Sequence, residues 1–201
     1  MSAHPHPPAW AERLVGLFVP ERGRDGVLGD LLEEYRESVL PRRGEAGADW
    51  WYVRQAGGFL WRASLPWAVL VGLILGVREL LDATVPTTDN FHFRATVCTY
   101  LGFGTYASAG VSAGWRSGRI AAGFAVSLVM TVLATAIGAA SVIGVAALLS
   151  TGAIHRAASY EGLNESLDFP VLPMLIVGAA LATIGAAIGK AARQFPRIDV
   201  A

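Results

Sequence analysis

Between Ala95 and His155 the chain runs for 61 residues with only two charged side chains, Arg116 and Arg119. A water-soluble helical core cannot do this, because one side of each helix meets solvent and needs a polar stripe. Lipid is the simpler solvent for such a segment. The remaining charge is distributed to match. Of 32 charged residues, 17 lie within residues 1–64, so the front of the chain is built for water and the back is not. Hydrophobic residues make up 53% of the 201, against roughly 45–50% in soluble domains, which leans the same way more weakly.

The pattern predicts an all-α protein: an integral membrane four-helix bundle preceded by a small cytoplasmic helical domain. Residues 1–8, with His4, Pro5, His6, Pro7 and Pro8, read as a disordered tip. Residues 9–62 read as the helical domain. Its first helix places Trp10, Leu14, Leu17 and Phe18 on one face and stops at Pro20. A second helix, residues 22–39, carries Val27, Leu28, Leu31, Tyr35 and Val39 as its apolar stripe. Pro41 closes it, and residues 42–48 are expected to be a linker. A third helix starts near Asp49 and leads to the membrane. Trp10, Leu14, Leu31 and Tyr35 are the expected core of this domain.

Four spans are predicted over residues 63–81, 95–115, 120–149 and 169–189, with a tail over 190–201. The first is the weakest, since its uncharged part covers only residues 63–77. Pro170 and Pro173 fall in the first turn of the fourth, where missing N–H groups cost little. Lys and Arg counts set the orientation. The turn from Trp115 to Arg119 carries two Arg and no acid, and the tail carries Lys190, Arg193 and Arg197 against Asp199. The alternate loops are richer in acid. The N-terminal domain, the second loop and the C-terminus are therefore expected in the cytoplasm. Trp50, Trp51, Trp61 and Trp67 are expected near that membrane interface. No cleavable signal peptide is expected, because the apolar run Leu14 to Val19 is short and contains Gly16.

Glycines spaced by four recur in the spans: Gly72 and Gly76, Gly110 and Gly114, Gly185 and Gly189. Small residues let helix backbones approach closely in lipid. They serve either packing among the chain's own helices, the commoner use, or a face for a second copy. Asp30, Glu33, Glu34 and Glu37 share a helix face and are the candidate partner-binding residues; a solvated surface is the plainer reading.

Little else points to chemistry. Cys98 is the only cysteine, which excludes an intrachain disulfide and a multi-cysteine metal site. His4 and His6 lack further metal ligands near them, and His92 and His155 are isolated. Arg78, Glu79 and Asp82 close the first span, where Arg78 and Asp82 are spaced to pair. Gly102-Phe103-Gly104 has no preceding strand and is no nucleotide loop. Asn164-Glu165-Ser166 fits a glycosylation sequon. No nucleophile–base set, phosphate-binding loop or zinc motif occurs, so no catalytic residue, cofactor or metal is expected. A formal net charge of zero gives no basic field for nucleic acid.

The strings Pro7-Pro8-Ala9-Trp10-Ala11-Glu12-Arg13-Leu14, Val19-Pro20-Glu21-Arg22, Val27-Leu28-Gly29-Asp30-Leu31-Leu32-Glu33-Glu34-Tyr35-Arg36 and Trp51-Tyr52-Val53-Arg54-Gln55-Ala56 carry a resemblance. Over about residues 7–62 the chain resembles the type 2 permease prefix domain. That domain precedes ABC-type permeases of the macrolide-exporter class in Acidobacteria and related bacteria. The resemblance implies a bacterial inner-membrane protein with a cytoplasmic prefix. The chain departs from such permeases in having about 13 residues between its first two spans instead of a large extracytoplasmic domain. Its layout is also similar to small bacterial membrane proteins with a cytoplasmic helical sensor domain, often linked to PadR-type regulators.

The expected function is that of a non-enzymatic accessory or regulatory membrane protein. Its expected partners are the bilayer, an ABC-type transporter subunit or a regulatory protein, and a second copy of the chain. The alternative is a transporter component, with Thr96, Thr99, Tyr100, Thr105, Tyr106, Ser108 and Ser112 of the second span lining a path.

Overall fold

The computed structural model of the chain describes residues 6–85, 91–154 and 171–194, and every element among them is helical. Helix α1, Ala9–Phe18, starts after Pro8 and ends where Val19 turns extended ahead of Pro20. It buries Ala11, Val15 and Gly16, with Val19 just beyond it. The buried face is thus one residue round from the expected one. Trp10 is 58% exposed and is not part of the core. Small residues let α1 lie close to its neighbour, and a tryptophan on that face would hold it off. The tip also differs from expectation at its described end. Pro7 is buried, and His6 lies beside Arg36, with ring nitrogens 3.1 and 3.2 Å from Nη2.

A short turn of 3₁₀ helix, Glu21–Gly23, leads into α2, Arg24–Glu34. The backbone then passes through a wide π-type turn, Tyr35–Val39, straight into α3, Leu40–Thr84. Pro41 therefore does not end the helix. The wide turn just before it relieves the crowding a proline ring causes in a regular helix. The expected linker shrinks to one residue, Gly44, whose φ of 68° and ψ of 177° suit glycine alone.

From residue 45 to Thr84 the chain is one helix, so the expected third helix and first span are continuous. At 1.5 Å per residue it is about 60 Å long, roughly twice a bilayer core. Its first half is the stalk against which α1 and the Tyr35–Val39 turn pack. That packing buries Val15, Tyr35, Val39, Ala48, Tyr52 and Ala56, with Leu14, Leu28 and Leu31 against them.

Three long helices follow: α4, Phe91–Ser117; α5, Ile120–Ser150; and α6, Val171–Gln194. The last runs five residues past its expected end, so the described start of the tail is helical. Between α4 and α5 Gly118 takes a φ of 71° and returns its N–H to the Gly114 carbonyl at 2.8 Å. Helix α5 ends in a paired cap, with Gly152 N–H on Leu149 O and Ala153 N–H on Leu148 O. The second half of α3 joins these helices in a common core of Ala68, Val71, Tyr106, Ala109, Val126 and Met130, with Leu181 of α6 against it. Among the described residues three helices are long and apolar enough to cross a membrane: the one ending at Thr84, α5, and α6.

Candidate functional site

The N-terminal helices are organised around two tyrosines. Tyr35 and Tyr52 meet edge to face, with ring centroids 6.1 Å apart and planes at 82°. The Tyr35 hydroxyl donates to Asp49 Oδ1 at 2.7 Å and also reaches the His6 carbonyl at 3.5 Å. Burial, reinforced by the bond to Asp49, pushes the Tyr35 phenol up to about 12. Burial does the same to Tyr52, also to about 12, with the Glu12 carboxylate adding to it. Facing the other way, Asp30, Glu33, Glu34 and Glu37 are all exposed. The helical period thus turns Leu28, Leu31 and Tyr35 inward and leaves an acidic row in solvent.

The spaced glycines all face neighbours within the chain. A Cβ on Gly110 or Gly114 would strike the backbone of Ala182 or Ala186. In return, one on Gly185 or Gly189 would strike the carbonyls of Ala107 or Val111. Helices α4 and α6 therefore touch backbone to backbone along two turns. Gly72 admits Ile137, and Gly76 admits Ser141, whose Oγ lies 2.8 Å from the Cβ position. Gly178 admits the ring of Tyr106 and Gly123 the backbone of Ala182, two contacts the regular spacing of four did not reveal.

The tryptophans occupy different levels. Trp50 and Trp61 are exposed. Trp51 packs against the tyrosine cluster, 6.2 Å from Tyr52, and Trp67 packs against the long-helix core. Trp50 and Trp67 are about 25 Å apart along the helix axis.

Charge gathers at both ends of the long helices. At one end Asp82 sits between Arg78, at 3.4 Å, and Arg94, at 3.7 Å, tying the end of α3 to the start of α4. At the other, Arg193 and Glu21 approach Gly118, while Arg119 approaches Gly16. Ser117 fixes that turn by donating to the Ala113 carbonyl and accepting the Arg119 N–H. Sequence reasoning gave Gly118 no role; a glycine between two helices and next to an arginine was the available signal. Among the described residues no group of three His, Cys, Asp or Glu is placed to hold a metal. His4, His155 and Asn164 lie outside the described residues.

The hydroxyls of α4 have separate surroundings. Thr99 and Thr105 donate to the carbonyls of Ala95 and Leu101, each at 2.8 Å. Tyr106 turns inward to Thr131, while Thr96, Tyr100 and Ser108 face outward. Compared with known protein families, curated proteins and solved structures, the chain matches none.

Proposed function

We propose that this chain is a multi-pass protein of the bacterial inner membrane, a four-helix bundle of α3–α6 with both termini in the cytoplasm. It acts as a non-enzymatic accessory or regulatory partner through its N-terminal helices. The observation that carries this reading is the outer surface of the long helices. Leu73, Val77, Leu101, Phe124, Val132, Ile143, Ile176 and Ile188 are all exposed. In water so much apolar surface drives aggregation, and acyl chains are its natural cover. The hydroxyls that make α4 less apolar cross at little cost, because Thr99 and Thr105 already bond to carbonyls of their own helix.

The N-terminal helices have a core of their own and present Asp30, Glu33, Glu34 and Glu37 to solvent. That row suits a basic surface on an ABC-type transporter subunit or a regulatory protein. Tyr35 and Val39 pack on the stalk, and the stalk and the first span are one helix, so a partner bound at the acidic row bears on the span through that packing. Transport by the chain itself draws no support from α4, whose hydroxyls bond locally or point apart. The test is recovery of partners from native membranes by the intact chain. A partner lost on changing the four acids to Asn and Gln supports the reading. No partner, together with solute movement by the purified chain alone, overturns it.

A further inference from the structure

The N-terminal helices meet the ends of α4, α5 and α6 at one joint. Arg119 Nη1 lies 3.8 Å from where a Cβ on Gly16 would sit, so its guanidinium rests on the bare face of α1. Arg193 Nη1 lies 2.6 Å, and Glu21 Oε2 3.9 Å, from the Cβ position of Gly118. Arg24 curls back from the start of α2, with Nη2 3.4 Å from the Val19 carbonyl. Gly16 and Val19 are three residues apart, so Arg119 and Arg24 both reach the end of α1, while Arg193 lies beside Gly118, the residue before Arg119. Glu21 is the acid beside Arg193.

Two of these groups are incomplete. Among the described residues Arg24 Nε and Arg193 Nη1 are buried and have no hydrogen-bond partner. A buried guanidinium donor without an acceptor is costly, and an anion bound at the joint supplies one. Helix α5 begins at the same turn with Arg119 as its N-cap and no side-chain cap, which adds the positive end of a 31-residue helix. The joint also stands where the apolar run of α5 begins and where Phe18 packs onto the long-helix core. In a spanning bundle that is headgroup depth, and arginine forks match phosphate oxygens.

We propose that this joint binds the phosphate of an anionic phospholipid headgroup. Arg119 and Arg193 hold it, and Arg24 closes it from the N-terminal side. The bound lipid ties the N-terminal helices to the ends of the spans. This site rests on the membrane reading above.

The test uses the full chain purified in neutral detergent and titrated with phosphatidylglycerol, phosphatidylcholine or inorganic phosphate. Native mass spectrometry counts bound lipid, and circular dichroism follows thermal unfolding. Phosphatidylglycerol is expected to be retained roughly tenfold over phosphatidylcholine and to raise the unfolding temperature. That preference is expected to vanish in Arg119→Gln/Arg193→Gln and to persist in Arg54→Gln, which changes an exposed arginine elsewhere. Equal retention of the two lipids by the unaltered chain overturns the proposal, and this comparison needs no variant to fold. A preference undiminished in the double variant overturns it too. Stabilisation by inorganic phosphate equal to that by lipid assigns the site to a soluble phosphate and overturns the lipid. A chain that leaves membranes without detergent fails the membrane reading instead, before any lipid is added.

Discussion

Tyr106 donates its hydroxyl to Thr131 Oγ1 at 2.8 Å in the buried centre of the long helices. The direction follows from Thr131, whose one hydroxyl proton goes to the Ser127 carbonyl at 2.9 Å. Two neighbouring helices, α4 and α5, are thereby joined by a buried polar bond between side chains. Replacing Tyr106 by Phe leaves Thr131 with its own helix carbonyl and removes only the bond between helices. The expected loss is about 0.6 kcal/mol, and Tyr106→Phe with Thr131→Val should be less than additive. Unfolding in mixed detergent micelles measures both.

The seam between α4 and α6 tolerates no side chain. Gly114→Val sets a branched carbon against the backbone of Ala186, where nothing can move aside. About 3 kcal/mol of destabilisation is expected, at the upper end for overpacking. Gly104→Ala, with open space at its Cβ position, should leave the unfolding temperature unchanged or higher.

Alkali should loosen the N-terminal helices before it affects the rest. The Tyr35 and Tyr52 phenols are raised from 10.0 to about 12 in the fold. The folded state therefore holds these protons more tightly than the unfolded chain does. The stability they contribute is complete below pH 10 and is lost as pH rises from 10 to 12. Phenolate absorbance should show Tyr35 and Tyr52 among the tyrosines that titrate late, and Tyr35→Phe should remove one late phenolate. Tyr35 and Tyr52 themselves titrating near 10 would contradict the packing around them.

Gly44 is the single break in a helical path that otherwise runs from α2 to the end of α3. At a φ of 68° an alanine is strained, and Gly44→Ala should cost about 1–2 kcal/mol in thermal unfolding of the N-terminal helices. Gly57→Ala, in mid-helix with open space around it, should be neutral or stabilising.

What the sequence disclosed and what it hid have separate physical causes. The long helices were legible because an absence of charge over tens of residues is an average property, robust to single positions. The acidic row and the inward stripe of Leu28, Leu31 and Tyr35 were legible from helical period alone. The linker expected over residues 42–48 is reduced to Gly44 alone. Pro41 and two glycines mimic a loop, and only the wide turn over Tyr35–Val39 lets the helix absorb the proline. The face of α1 was misjudged because Trp10 outweighs Ala11 in hydrophobicity, while close packing selected Ala11 and Gly16 for their size. At the joint only the turn glycine, Gly118, was legible, since Gly16, Glu21, Arg119 and Arg193 come together only through tertiary packing.

The central claim is that lipid solvates α5 and its neighbours, and fractionation of cells expressing the intact chain tests it most directly. After an alkaline carbonate wash the chain should stay wholly with the membrane pellet and enter solution only in detergent. A monomer recovered from the wash, folded and soluble without detergent, would contradict the account.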